Sequence, residues 1–266
     1  MDPRDTDRGG RAASTGGRLA RARVSQDVAD FIARRIFDGT LASRDRIDLD
    51  AIADELGVSR IPVREALTAL EREGLVSTEL YRGFRVSPLD AAVVHESFEL
   101  YGLLASLAVR QVTETAEEAE IDRLASVGAA TLVTPVSNAE FSRLCYGYRR
   151  ELHKAGGSPR LRHLLAGFRA SLSVAGEVID ATGIVIVQKA LQAEIRALQM
   201  RDPDLAARAA FETLRCNGQV VVSALVARGV ISAERSTWAP SDIFARAVGS
   251  FAASQPPPSV GERAGG

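Results

Sequence analysis

The sequence predicts a mostly α-helical protein in two units, a small N-terminal unit of three helices with a β-hairpin and an all-α helical bundle behind it. Three observations support this fold class. Apolar residues recur at helical spacing through most of residues 24–229. Two β-prone runs stand side by side, at 75–79 and 84–86. Signals for helix starts then repeat along the chain, and 266 residues are enough for two domains.

The overall composition is that of an ordinary globular protein. Hydrophobic residues make up 46% and charged residues 25%, and the formal net charge is −1, so contact with nucleic acid requires a local basic patch. Cys145 and Cys216 form no CxxC pair, which argues against a disulfide framework or a structural zinc site. There is no apolar run of about 20 residues and no apolar stretch at the N-terminus, so we expect a cytoplasmic protein without a membrane partner.

The composition divides the chain into four segments. Residues 1–22 contain almost no large apolar side chain and predict a disordered basic N-terminal tail, whose arginines are either solvated or form an arm that contacts phosphates. Residues 23–87 form the first folded unit and 88–230 the second. Residues 231–266 predict a C-terminal extension that is largely disordered, with a short helix around Ser241–Ala252.

The first folded unit has the order helix, helix, turn, helix, hairpin. Its first helix ends at Gly39, Asp48 can cap the second, and Ser59 is placed to cap a third that runs to about Arg72. Two β-prone runs follow, and Arg82-Gly83 forms the tip between them. This order is typical of a winged helix-turn-helix.

The third helix has two contrasting faces. Its apolar face should pack on the first two helices, and it consists of Val63, Ala66, Leu67 and Leu70. The opposite side carries Arg60, Arg64 and Thr68, with Ile61 beside them. Arginine can contact guanine O6 and N7 bidentately, while Ser59 and the helix N-terminus suit a phosphate. Gly83 would let the hairpin tip approach the duplex, together with Arg82.

An ordinary three-helix unit with solvated arginines is the alternative. The hairpin directly behind the helix favours DNA binding.

The second unit carries clear helix-start signals. They are Ser87-Pro88 with Asp90 in the first turn, the T-x-x-E capping box Thr115–Glu118, Asn138, Ser158-Pro159 and Asp202-Pro203. Together they predict about six helices between residues 88 and 229. No strand pattern interrupts them, so this half should be an all-α bundle.

The first unit closely resembles the GntR family of bacterial regulators. The resemblance lies in residues 55–67 (ELGVSRIPVREAL), 70–76 (LEREGLV) and 82–86 (RGFRV), and it covers roughly residues 24–87. It implies a winged helix-turn-helix that binds double-stranded DNA as a homodimer at an inverted repeat, with Arg60 and Arg64 as base contacts. Ile61 stands where the family has threonine, so one hydroxyl contact is lost.

The bundle resembles the all-helical FCD ligand domain of the FadR-like branch, through residues 98–100, 156–161 and 197–202. That resemblance implies a dimerisation domain with a small-molecule effector and often a divalent metal held by one Asp and three His. Those four positions align here with Cys145, Arg149, Leu191 and Thr213. Leucine cannot ligate and arginine repels a cation, so we predict no metal and no other cofactor.

Other polar residues leave alternatives open. The histidines are His95, His153 and His163, none at a ligand position, although His153 lies four residues from Arg149 and a rewired site is conceivable. The family's "ELR" tripeptide is Glu99-Leu100-Tyr101 here. Tyr101, Cys145, Arg149 and Thr213 would then line an altered effector pocket, in which Arg149 grips an anion. The alternative is a collapsed cavity filled by side chains such as Leu191.

These observations predict a sequence-specific, ligand-responsive repressor. A constitutive DNA-binding regulator with a degenerate sensor is the runner-up. An enzyme on the bundle is the third interpretation, and we predict against it because no G-x-S-x-G, P-loop or H-E-x-x-H motif occurs.

Overall fold

A computed structural model gives the fold and describes residues 8–79, 83–133 and 137–232. The described elements are α1 (Arg8–Phe37), β1 (Arg46–Ile47), α2 (Leu49–Leu56), α3 (Arg60–Arg72), β2 (Val76–Glu79), β3 (Gly83–Val86), α4 (Ala91–Thr115), α5 (Glu118–Ala129), a short 3-10 helix (Ala130–Leu132), α6 (Asn138–Gly156), α7 (Pro159–Ala166), α8 (Arg169–Ala175), α9 (Ala181–Gln199) and α10 (Pro203–Ala227). The predicted fold class, mostly α with a small β wing, is confirmed.

The N-terminal unit packs α1, α2 and α3 around one apolar core. Ile32, Val63, Leu67 and Leu70 are fully buried in it. The sheet beside them is antiparallel with strand order β1-β3-β2. The sequence did not predict β1, because two residues are too few to show an alternating pattern.

The prediction of a disordered N-terminal tail is wrong for residues 8–22, the part of the tail that the structure describes. The helix α1 begins at Arg8, so residues 8–22 are helical rather than disordered. Once the packed part of α1 provides a nucleus, each further residue adds one backbone hydrogen bond at low cost. Residues 1–7 and 233–266, which include the predicted helix at Ser241–Ala252, lie outside the described residues.

Three predicted helix starts are confirmed by their hydrogen bonds. The side chain of Asp48 accepts from the backbone N–H groups of Asp50 and Ala51. Ser158 accepts from the N–H of Leu161, and Asp202 accepts from the N–H of Leu205. In the last two helices a proline follows the cap, where its missing N–H costs nothing.

Three other predicted helix starts are wrong in detail. The cap of α4 is Asp90 rather than Ser87, and its carboxylate accepts from the N–H of Val93. At Thr115–Glu118 no capping box forms, because Thr115 still belongs to α4 and its hydroxyl donates to the Gln111 carbonyl. Ser137 caps α6, while the Asn138 amide donates to the Ile179 carbonyl instead (2.5 Å).

The bundle is built around the antiparallel pair α4 and α10. Close approach requires glycine on both helices, since a Cβ at Gly102 would lie 3.1 Å from Phe211 Cδ2 and one at Gly218 would lie 2.8 Å from Phe98 Cβ. Seven α-helices follow β3 in the described residues, against about six predicted. By length and apolar content α4 could cross a membrane, but half of that stretch is buried inside the protein, as expected of a core helix.

Polar contacts join the two units along α1 and α8. The guanidinium of Arg34 pairs bidentately with Glu177, at 3.0 and 3.1 Å. Arg169 Nη2 donates to Asp30 Oδ1 at 3.0 Å, and the backbone N–H of Ala170 donates to Glu73 Oε1 at 3.0 Å. Asp30 lies on α1 and Glu73 directly follows α3, so the start of α8 is held to two parts of the N-terminal unit.

Candidate DNA interface and effector site

The helix α3 turns its basic side away from the protein. Its apolar face is buried against α1 and α2, which fixes the direction of the other face. Arg60 and Arg64 are exposed, and the Ile61 side chain between them is 58% exposed. The outward face of α3 therefore presents two arginines and an isoleucine to solvent.

Arg60 and Arg64 differ in their surroundings. Arg60 pairs with Asp50 at the start of α2, with Nη2 to Oδ2 at 2.6 Å. Both side chains are largely exposed, so the pair contributes at most about 1 kcal/mol and a DNA phosphate or base could displace it. Within the described residues Arg64 makes no ion pair. Arg64 is therefore the arginine whose guanidinium is ready for an incoming duplex.

The two hydroxyl groups on this helix behave differently from each other. Ser59 occupies the N-cap position of α3, but its side chain makes no capping hydrogen bond, contrary to the prediction. Thr68 Oγ1 donates to the Arg64 carbonyl at 2.9 Å and is engaged within the helix. Ser59 thus suits a phosphate contact at the helix N-terminus better than Thr68 suits a base contact.

The wing comes directly after α3. Strands β2 and β3 pair in register from Val76 with Val86 to Glu79 with Gly83. Gly83, the first residue of β3, has a φ of +85°, a conformation that favours glycine. Arg82 lies outside the described residues. The helix and the hairpin therefore have the order and the backbone geometry of a winged helix-turn-helix.

The four predicted effector-site residues lie around one cavity inside the bundle. Tyr101, Cys145, Arg149 and Thr213 all line it, and Leu191 closes one side. Its volume is about 30 Å³, roughly the space of a single water molecule. In this state the cavity is too small for a metabolite. This agrees with the alternative interpretation, in which the cavity has collapsed and side chains such as Leu191 fill it.

A buried ion pair occupies the polar side of this cavity. Arg149 on α6 pairs bidentately with Glu194 on α9, with Nη2 to Oε2 at 2.5 Å. The Glu194 side chain is completely buried. Burial disfavours the charged guanidinium, but Glu194 more than offsets this and raises the pKa of Arg149. In this state Arg149 is therefore not available to bind an anionic effector, because Glu194 already neutralises its charge.

Glu194 is the residue that the sequence reasoning missed. It lies on an otherwise apolar face of α9 that includes Leu191, Ile195 and Leu198. A carboxylate on such a face must have a buried partner. The apolar residues around Glu194 could have indicated a buried ion pair from the sequence alone, but they do not show that Arg149 is the partner.

The residues at the family's metal positions do not fit a metal. Leu191 offers no donor atom, and the Arg149 cation lies where a ligand would be needed. The described residues contain no group of three or more His, Cys, Asp or Glu side chains that could hold an ion. Burial also raises the pKa of the Cys145 thiol to about 12, so this side chain is not a ready thiolate ligand.

Next to the cavity, His153 packs on Tyr101. Their rings meet edge to face at 5.6 Å, and the Tyr101 hydroxyl lies 3.4 Å from His153 Nε2. Phe168 packs on the other side of Tyr101. Burial, reinforced by the Arg149 charge, lowers the pKa of His153 to about 3. The imidazole is therefore neutral in the folded protein, and the rewired metal site around it is not seen.

This histidine makes stability depend on pH. Unfolded histidine has a pKa of about 6.5, so below that pH only the unfolded chain binds the proton. The contribution of His153 is fully present above about pH 6.5 and is lost as the pH falls towards its folded pKa, at no more than about 1.4 kcal/mol per pH unit. We expect His153→Gln to flatten this fall in urea unfolding at several pH values. An unchanged slope in His153→Gln would contradict this role of the buried imidazole.

Comparison with known proteins agrees with this geometry. Residues 24–86 match the family model of bacterial regulatory proteins, gntR family. An HTH-type transcriptional regulator of Mycobacterium tuberculosis is 31% identical over 207 residues, 77% of this chain and 83% of that protein. A probable D-xylose utilization operon transcriptional repressor of Paenarthrobacter nicotinovorans is 33% identical over 111 residues, 40% of this chain and 48% of that protein.

The structure of E. coli McbR/YncC shares the fold. It has a TM-score of 0.51 and 18% identity, and the match covers 75% of this chain and 97% of that one. The matched family and relatives are transcription regulators, not enzymes. This chain belongs to the GntR family of DNA-binding transcription regulators.

Proposed function

We propose that the protein is a cytoplasmic repressor that binds an inverted-repeat operator as a homodimer. The observation that carries the proposal is the outward face of α3, where Arg60, Ile61 and Arg64 are exposed on a helix whose other face is buried. A helix docked in this way can enter the major groove with its first turns. The similarity to a probable operon repressor supports the direction of regulation.

Response to a ligand would run through α8. Leu172 of this helix lines the small cavity, while Arg169 and Ala170 contact Asp30 and Glu73 of the DNA-binding unit. We assign the bundle to the FCD type of ligand and dimerisation domain on the resemblance of residues 98–100, 156–161 and 197–202. A small molecule that opened the cavity would displace Leu172 and with it the contacts that orient the DNA-binding unit.

A constitutive regulator is the second candidate function, and the cavity itself favours it. A volume of about 30 Å³ and an internal Arg149–Glu194 pair leave no vacancy for an effector. The two candidates differ in one measurable property. A responsive repressor releases its operator when the right metabolite is added, whereas the constitutive form keeps the same affinity across a metabolite library and in the presence of a chelator.

The operator can be found by selection from a random duplex library with the full chain. We expect a short inverted repeat to be enriched. Arg64→Ala should weaken binding to it by about 1–3 kcal/mol for each lost bidentate contact, and a homodimer loses two. Fluorescence anisotropy with the selected duplex and a scrambled duplex measures this loss.

Arg196→Ala is the matched control, because Arg196 is also exposed but lies on α9 in the bundle. It should bind like the wild type. If no motif is enriched at moderate salt, or if Arg64→Ala binds as tightly as Arg196→Ala, the basic face of α3 is only solvated surface.

A further inference from the structure

A large cleft separates the DNA-binding unit from the bundle. Its volume is about 900 Å³, and it is lined by the end of α1, the end of α3, the connection at residues 87–89, the start of α4 and residues 163–169. Apolar side chains come from several of these segments, among them Phe37, Leu89, Leu100 and Phe168. Leu164 at its edge is 48% exposed. The lining of this cleft is therefore an apolar surface that remains open in the part of the chain that the structure describes.

The described chain ends beside this cleft. Because Phe98 meets Gly218 and Gly102 meets Phe211, α4 and α10 run antiparallel, and the end of α10 lies near the start of α4. The start of α4 lines the cleft. Beyond α10, Val230 Cγ2 lies 3.3 Å from the Cβ position of Gly39, two residues after Phe37. The segment that follows residue 232 therefore starts at the rim.

The sequence of that segment has the pattern of a docking helix. Within Ser241–Ala252, Phe244, Val248 and Phe251 are spaced by four and three residues, so they share one helical face, and Ile243 lies at the edge of that face. The charged residues Asp242 and Arg246 fall on the opposite face. The nine residues from 232 to 241 can span up to about 30 Å, which is ample to enter the cleft.

We propose that residues 238–252 bind in the interdomain cleft of the same chain, with the apolar face of the segment on Leu100 and Leu164 and with Trp238 enclosed beside it. The segment would then contact both units at once and hold their relative orientation. This proposal goes beyond the regulatory function above and does not depend on any operator or effector. It assigns the C-terminal extension a partner within the chain.

Trp238 provides the test, because it is the single tryptophan of the protein. In the full-length chain we expect its emission maximum to lie to the blue of free N-acetyltryptophanamide. Leu164→Asp places a charge on the cleft and should move the emission to the solvent value. Phe251→Asp, which changes the segment and leaves the described fold untouched, should do the same.

Val185→Asp is the matched control. Val185 is 50% exposed on α9, outside the cleft, so this variant should keep the wild-type spectrum. Wild-type emission at the solvent value would overturn the proposal, as would unchanged spectra for both Leu164→Asp and Phe251→Asp.

A second copy as the acceptor is distinguished by mixing. In a mixture of the Leu164→Asp chain with excess Trp238→Phe chain, docking within one chain leaves the emission at the solvent value. If the blue-shifted emission returned, the segment would bind the cleft of another copy, and the same-chain proposal would be wrong.

Discussion

Glu194→Gln is expected to lower the free energy of unfolding by about 3–5 kcal/mol, because it leaves the Arg149 charge buried without a counter-ion. The side chains of this pair are 7% and 0% exposed, so water cannot replace the lost carboxylate. Both guanidinium nitrogens that now donate to Glu194 lose an anionic acceptor. Urea unfolding followed by far-UV circular dichroism at neutral pH measures the difference.

An exposed pair provides the control. Arg123 and Glu120 lie one turn apart on α5, with Nε to Oε2 at 2.7 Å, and Glu120→Gln should change stability by no more than about 1 kcal/mol. Replacing both buried partners, as Arg149→Met with Glu194→Leu, should recover most of the loss, since an apolar pair has no desolvation penalty. Equal losses in Glu194→Gln and Glu120→Gln would contradict the role assigned to the buried pair.

The second large effect is expected at the end of α6, where Gly156→Ala should destabilise the protein by about 1–3 kcal/mol. Glycine to alanine in a helix ordinarily stabilises. Here an added Cβ would overlap the Ala108 carbonyl oxygen and lie 2.9 Å from Val112 Cγ2, so α6 and α4 would have to separate. Thermal and urea unfolding of the variant test whether alanine lowers the free energy of unfolding here instead of raising it.

Gly147→Ala on the same helix is the comparison. Nothing lies within 4 Å of its Cβ position, so the substitution should stabilise by about 0.5–1 kcal/mol. If both alanine variants were more stable than the wild type, the contact between α4 and α6 would be looser than the structure has it.

Sequence patterns predicted the parts of the fold that depend on local order. The period of Val63, Leu67 and Leu70 predicted the buried face of α3, and with it the outward direction of Arg64. The family resemblance selected Cys145, Arg149, Leu191 and Thr213 from distant parts of the chain, and the structure brings them around one cavity.

Features that depend on tertiary partners could not be predicted in this way. Periodicity places Glu194 on a buried face, but only the packing of α9 on α6 shows that Arg149 neutralises it. Helix starts were ambiguous for a similar reason. Several capping residues stand close together around Asp90 and around Ser137, and the tertiary contacts decide which of them faces the helix end.

The contacts that fasten α8 to the N-terminal unit give the protein a built-in sensitivity to ionic strength. Arg34–Glu177 and Arg169–Asp30 are partly exposed ion pairs, which dissolved salt screens. Salt also weakens binding of arginines to DNA phosphates, because the release of counter-ions into a concentrated solution gains less entropy. A rise in the salt concentration of the cell would thus loosen the junction between the two units and the hold on DNA together.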